Sequence, residues 1–139
     1  MFNRDGNRIP GVTPNFGDVR LIYDQPTGLF QGVGGHIEAV GRDGYELDNA
    51  NLLKAPGYVL LNGELHYDPP AGRGELSRMR FYFDVQNLLD QTYIGTASNI
   101  TDTLTSGGVQ NGAAVLSNAT GSIYAGTPRS VFGGVRVKF

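Results

Sequence analysis

Alternation of apolar and polar residues with a period of two is the feature that most restricts this chain. It recurs in five stretches of 139 residues, and a two-residue period places neighbouring side chains on opposite faces of a strand. In "GDVRLIYD", Val19, Leu21 and Tyr23 oppose Asp18, Arg20 and Asp24. In "GVGGHIEAVGR", Val33, Ile37 and Ala39 oppose His36, Glu38 and Arg42. In "YVLLNGELHYD", Val59, Leu61, Leu65 and Tyr67 oppose Asn62, Glu64, His66 and Asp68. In "RMRFYFDVQN", Met79, Phe81, Phe83 and Val85 oppose Arg78, Arg80, Tyr82, Asp84 and Gln86. The last is "VFGGVRVKF", which carries the alternation to the final residue, whereas chain ends are usually polar and frayed. All five apolar faces are free of charge, and "TYIGTAS" is a shorter sixth candidate.

Turn chemistry separates these stretches. "DQPTGLFQ", "DPPAGRGELS" and "NLLDQ" carry the Pro, Gly, Asn and Asp residues that bend a chain, and "NLLD" is the only candidate for a helical turn. The segment between Ser98 and Arg129 is rich in Gly, Ser, Thr, Asn and Ala and carries a single charge, Asp102; it reads as a long surface loop, with a partly hairpin-like form as the alternative.

Alternation alone leaves two environments open. In a soluble sandwich the apolar face is the core. In a membrane barrel it meets lipid, while the polar face lines the interior. The strands run about 8 to 11 residues, close to the roughly 9–11 of a tilted spanning strand, and Tyr23, Tyr67 and Phe139 fall near the ends of apolar faces.

Composition excludes several classes. Cysteine is absent, so neither a disulfide framework nor a thiolate metal site exists. With 11 basic and 13 acidic residues the net charge is −2, which offers nothing to nucleic acid. No apolar run approaches the roughly 20 residues of a spanning helix, and "MFNRDGNRIP" lacks the apolar region of a secretory signal. No Ser/His/Asp set forms a nucleophile elbow, the clustered glycines of "GVGG" and "GGVR" do not sit between a strand and a helix, and the spacing of His36 and His66 matches no metal motif. The expectation is a non-enzyme without cofactor or metal. The glycines are read as room for barrel curvature or neighbouring side chains, and Asp84 is expected to pair with Arg78 and Arg80.

Two ordered runs carry a family resemblance. "FDVQNLLDQTYIG" and "YAGTPRSVFGGVRVKF" resemble the C-terminal end of TonB-dependent outer-membrane receptors. There a strand ends in a Val-x-Asn-Leu-(Phe/Leu)-Asp turn followed by Tyr; after a long loop, Gly-x-Pro-Arg opens a closing strand that ends in Phe. Val85, Asn87, Leu88, Asp90 and Tyr93 fill the first pattern, and Gly126, Pro128, Arg129 and Phe139 the second. "GNRIPGVTP" and "LLKAPGYVLLNGELHYD" also look like segments that open barrel strands, so the resemblance covers nearly the whole chain.

The resemblance implies an all-β fold: an antiparallel meander of about 5–6 strands, an incomplete part of a transmembrane β-barrel of about 22 strands. Residues 1–139 would be the C-terminal part of that barrel, with plug domain and signal peptide absent, in the outer membrane of a Gram-negative bacterium. Implied partners are lipid, the rest of barrel and plug, the barrel-assembly machinery, TonB acting through the missing plug, and a ligand such as a ferric siderophore. Gly134, Val137 and Phe139 occupy positions of the barrel-assembly signal, with Phe132 where a polar residue is usual. Asn99, Asp102, Asn111 and Tyr124 are candidate ligand-loop residues. Counting back from a periplasmic C-terminus puts "NLLDQ" and "DGYELDNANLLKAPG" in the periplasm, with Ser98–Arg129, "DPPAGRGELS" and "DQPTGLFQ" outside. The rival readings are a small oligomerising outer-membrane protein and a soluble β-sandwich binding module.

Overall fold

A computed structural model describes residues 4–97, 107 and 122–139. It is all-β apart from one 3-10 turn at Gly74–Arg78. No helix among the described residues is long and apolar enough to cross a membrane, which says nothing about crossing by strands. Two compact units emerge: the described parts of Met1–Phe16, Gly41–Tyr58 and Thr92–Gly126, and a second made of Gly17–Val40, Val59–Gln91 and Thr127–Phe139.

The second unit is built on a five-stranded sheet. Its strands are β1 (Phe16–Asp24), β2 (Val33–Arg42), β5 (Tyr58–Tyr67), β6 (Met79–Gln86) and β9 (Ser130–Val137), in that spatial order. The five alternating stretches are therefore the five long strands, laid down as an antiparallel meander in chain order. Between β2 and β5 the chain forms the short pair β3 (Tyr45–Glu46) and β4 (Lys54–Ala55), and between β6 and β9 the pair β7 (Ile94–Ala97) and β8 (Ile123–Ala125).

Register sorts the residues into faces. Leu65 lies opposite Phe83 and Tyr67 opposite Phe81; across the next ladder Phe81 meets Val135, Val85 meets Val131 and Met79 meets Val137. The alternate positions pair Glu64 with Asp84, His66 with Tyr82 and Arg80 with Arg136. A one-residue slip would exchange the two faces along a whole strand, so the charge-free face fixes the register. That face is not a core. Val19 is 67%, Leu21 73% and Leu65 58% exposed. The buried hydrophobic residues, Tyr45, Leu47 and Ala55, all belong to the other unit.

The ladder corrects the expected sidedness. Gln86 pairs with Ser130 and Met79 with Val137, so β6 and β9 are direct neighbours. "NLLDQ" and the residues that open β9 thus leave and enter the sheet at the same end, and "TYIGTAS" supplies the short β7 rather than another crossing strand. The two cannot lie on opposite sides of a membrane. The alternation signal of "TYIGTAS" was genuine, but the sequence does not report which strand a strand pairs with. The turn 25–32 closes the opposite end, where the Gln25 N–H donates to Val33 O (2.9 Å), and the Asp68 N–H donates to Gly32 O (2.7 Å). The alternation also outlasts the last strand: β9 ends at Val137, and the Lys138 N–H donates to Arg78 O (2.8 Å).

The first unit is small and has its own core. Leu53, Ile94 and Ala97 pack against Tyr45, Leu47 and Ala55, and the Ala97 N–H donates to the Tyr45 hydroxyl (3.0 Å). Asp48 is fully buried there; its Oδ1 accepts the N–H groups of both Leu52 and Leu53 at 2.9 Å and so shapes the turn between β3 and β4. Asn51, at φ 56°, binds the Arg8 backbone from both sides: its Oδ1 accepts the Arg8 N–H (2.6 Å) and its Nδ2 donates to Arg8 O (2.9 Å).

Candidate functional site

The polar face of the sheet carries two cross-strand clusters of ion pairs and amides. Arg20 on β1 pairs with Glu38 on β2 through both Nε and the terminal nitrogen. Asn62 on β5 donates to Glu38 (3.1 Å), and its Oδ1 accepts the Asn87 N–H (3.0 Å). Nearer the other end, Arg80 on β6 reaches Glu64 (3.1 Å) and Asp68 (3.3 Å). The nearly buried His66 places Nε2 3.0 Å from Asp24 Oδ1, with Nδ1 3.3 Å from Glu64 but without hydrogen-bond alignment.

Glycine makes that placement possible. A Cβ on Gly34 would stand 2.6 Å from His66 Nε2, so the "GVGG" glycine is room for a neighbouring ring. Arg20, His36, Glu64, His66, Asp68 and Arg80 border a concavity of about 560 Å³. The expected partners of Asp84 need correction. Arg80 turns to β5 and Arg78 to Glu75 (3.5 Å), while Asp84 faces Glu64 in register and pairs with neither arginine. Among the described residues, no group of three His, Cys, Asp or Glu is placed to hold a metal ion.

The two runs that carry the family resemblance are brought together. Asn87 is buried at φ 52°, a left-handed conformation that Asn tolerates better than most side chains. Its amide closes the turn by accepting the Gln91 N–H (2.9 Å) and donating to Gln91 O (2.9 Å), and it also donates to Thr127 O (3.1 Å). Asp90, at φ 53°, accepts the Arg129 N–H at 3.0 Å. Leu88 donates its N–H to Leu61 O (2.7 Å), and Val85 sits opposite Val131. In the first unit, Gly126 donates its N–H to Tyr93 O (2.7 Å), and a Cβ on Gly126 would collide with the Tyr93 ring. Tyr93 also packs against Tyr58 with ring centroids 4.4 Å apart. Pro128 O accepts the Ser130 hydroxyl (3.1 Å). The two patterns thus meet within each unit: Asn87 and Asp90 bind Thr127 and Arg129 in the second, and Tyr93 binds Gly126 in the first.

At the closing strand, Gly134 lies directly opposite Tyr82, Val137 opposite Met79, and Phe139 is fully exposed. Of the ligand-loop candidates, Tyr124 is exposed on β8, while Asn99, Asp102 and Asn111 lie outside the described residues. Sequence reasoning missed Asp48 and Asn51; the Asp and Asn of "LDNANLL" were the available sign, since such side chains cap local backbone groups.

No protein-family model matches the chain, and no curated protein matches it. Among solved structures it is similar to the ferric citrate transporter FecA in the unliganded form, at 20% identity and a TM-score of 0.67. The match covers 98% of this chain and 18% of that one. The likeness shows the fold: an all-β chain that fits part of a β-barrel such as FecA's.

Proposed function

We propose that this chain is the C-terminal barrel segment of a TonB-dependent outer-membrane receptor that takes up a ligand such as a ferric siderophore. The observation that carries the reading is the contrast between the faces of the five-stranded sheet. One presents Val, Leu, Ile, Phe and Tyr side chains to the exterior, and the other is laced by ion pairs and amides. A soluble sandwich would bury the first face against a second sheet. Lipid reverses that demand, and the likeness to FecA supports the same reading.

Five strands cannot close on themselves, and β1 and β9 are edges. In the intact receptor both edges pair with further barrel strands, and the polar face lines the interior around a plug. The resemblance supports residues 1–139 as barrel alone, so coupling to TonB falls to other parts of the receptor. The strand geometry also supports a sidedness. Outer-membrane barrels carry short periplasmic turns and longer outer loops. The connections 25–32 and 68–78 are the short ones and share an end with the C-terminus, so that end is periplasmic. Residues 43–57 and 87–129 then leave the extracellular end, which makes the Asn87 turn part of an outer loop instead of a periplasmic one.

Gly134, Val137 and Phe139 act as the barrel-assembly signal, and Asn99, Asp102, Asn111 and Tyr124 belong to the ligand-facing loop. A transporter fold with a wet interior wall argues against an enzyme. The test is membrane behaviour: the chain should require detergent to remain in solution. A soluble monomer with a cooperative melt would overturn the proposal. Phe139→Ala in the full-length parent should lower its outer-membrane level, and ligand uptake by liposomes holding only these 139 residues would refute a segment role.

A further inference from the structure

The turn between β1 and β2 presents its largest apolar side chains outward. Leu29 is 93% and Phe30 68% exposed. The turn is well formed: the Gly32 N–H donates to Gln25 O (3.0 Å), the Val33 N–H to Phe30 O (3.0 Å) and the Gln31 N–H to Gly28 O (3.2 Å). Gly28 and Gly32 take φ of 86° and 88°, which only glycine adopts freely, so the backbone is shaped to hold this tip out.

Residues 25–32 contain no charge. The other turn at the same end, 68–78, carries Asp68, Arg73, Glu75 and Arg78, the composition of a turn that meets water. One end of the sheet therefore has a wet turn and an apolar one. The apolar turn continues the lipid-side face: it follows Tyr23, exposed on the apolar face of β1, whose hydroxyl bonds to Gln25. Tyr67 and Phe81, with centroids 6.4 Å apart, stand on the same face at the same end.

We infer that Leu29 and Phe30 form an anchor that dips into the headgroup–acyl boundary of the periplasmic leaflet, extending the apolar face beyond the strand ends. Its occupant is lipid. The uncharged sequence and the continuity with the aromatic end of the sheet select lipid over an aqueous protein partner. The inference rests on the barrel reading above.

The chain has no Trp, so each substitution creates a single fluorophore. Phe30→Trp and, as a second probe of the tip, Leu29→Trp are placed in phosphatidylethanolamine/phosphatidylglycerol vesicles. The lipids are brominated either close to the headgroup or deep in the acyl chain. Phe83→Trp, in mid-strand on the apolar face, reports whether the sheet is in the bilayer at all. Both tip probes are expected to lose about half their emission to shallow bromines and little to deep ones, with Phe83→Trp showing the reverse. Quenched Phe83→Trp with water-like, unquenched tip probes would overturn the anchor and leave the barrel reading intact. Blue-shifted but unquenched tip probes would also overturn it, by showing a protein contact there. An unquenched Phe83→Trp would remove both the barrel reading and the anchor.

Discussion

The Tyr82 ring lies across the backbone of Gly134. The two residues are cross-strand partners, and a Cβ on Gly134 would stand 2.6 Å from the Tyr82 hydroxyl and 2.8 Å from the ring carbon that bears it. The glycine of the proposed assembly signal thus has a role inside the sheet, as the seat for an aromatic ring that shields its backbone.

Gly134→Ala should therefore destabilise the sheet by about 1–3 kcal/mol through overpacking, and the penalty should shrink when Tyr82→Ala is combined with it. A double-mutant cycle on urea unfolding from detergent micelles measures this. Equal penalties in both backgrounds would show that the Tyr82 ring does not set the need for glycine.

Removing the Asn87 side chain should loosen the fastening before β9. Asn87→Ala loses three side-chain hydrogen bonds, leaves the Thr127 and Gln91 groups unpaired, and forces a left-handed alanine. A loss of about 2–4 kcal/mol is expected at this buried position. Asn87→Gly relieves the backbone but not the bonding, so it should recover only part. Full recovery by glycine would show that φ, rather than the amide, sets the choice of residue.

Charge on the two faces should have opposite consequences. Leu65→Arg puts a cation on the exposed apolar face and should cost about 2–4 kcal/mol in lipid, with loss of membrane-inserted protein on flotation gradients. Tyr82→Arg, on the polar face, should leave insertion in place. Tolerance of Leu65→Arg would mean that this face meets water.

Asp48→Ala should release the turn between β3 and β4, since its carboxylate holds two backbone N–H groups inside the small core. Two backbone donors would lose their acceptor, at a cost of about 1–3 kcal/mol. Amide exchange at Leu52 and Leu53 should rise in the variant, and unchanged protection there would count against the role.

The five long strands were legible because a two-residue alternation with a clean apolar face is a property of the sequence itself. Their neighbours were not. That β6 lies against β9, and that "TYIGTAS" forms a short extension, depends on pairing that no local pattern records. Arg80 was placed on the polar face correctly, yet its partners are Glu64 on β5 and Asp68 just beyond it, while Asp84, close in sequence, faces Glu64 in register and forms no ion pair with Arg78 or Arg80. The core of Tyr45, Leu47 and Ala55 was hidden for a similar reason: its residues come from short, irregular strands whose periodicity is too brief to read. Asn87, Asp90 and Arg129 were found in two separate motifs, and only the fold shows them fastened together.

Because the amide of Asn87 grips the carbonyl of Thr127, forty positions on, the chain is cinched at the neck of its longest excursion. Closure entropy rises only about 0.6 kcal/mol for each doubling of loop length, so residues added between β7 and β8 would put little strain on the sheet. An epitope inserted between β7 and β8 would therefore test how much new sequence the chain accepts behind that neck.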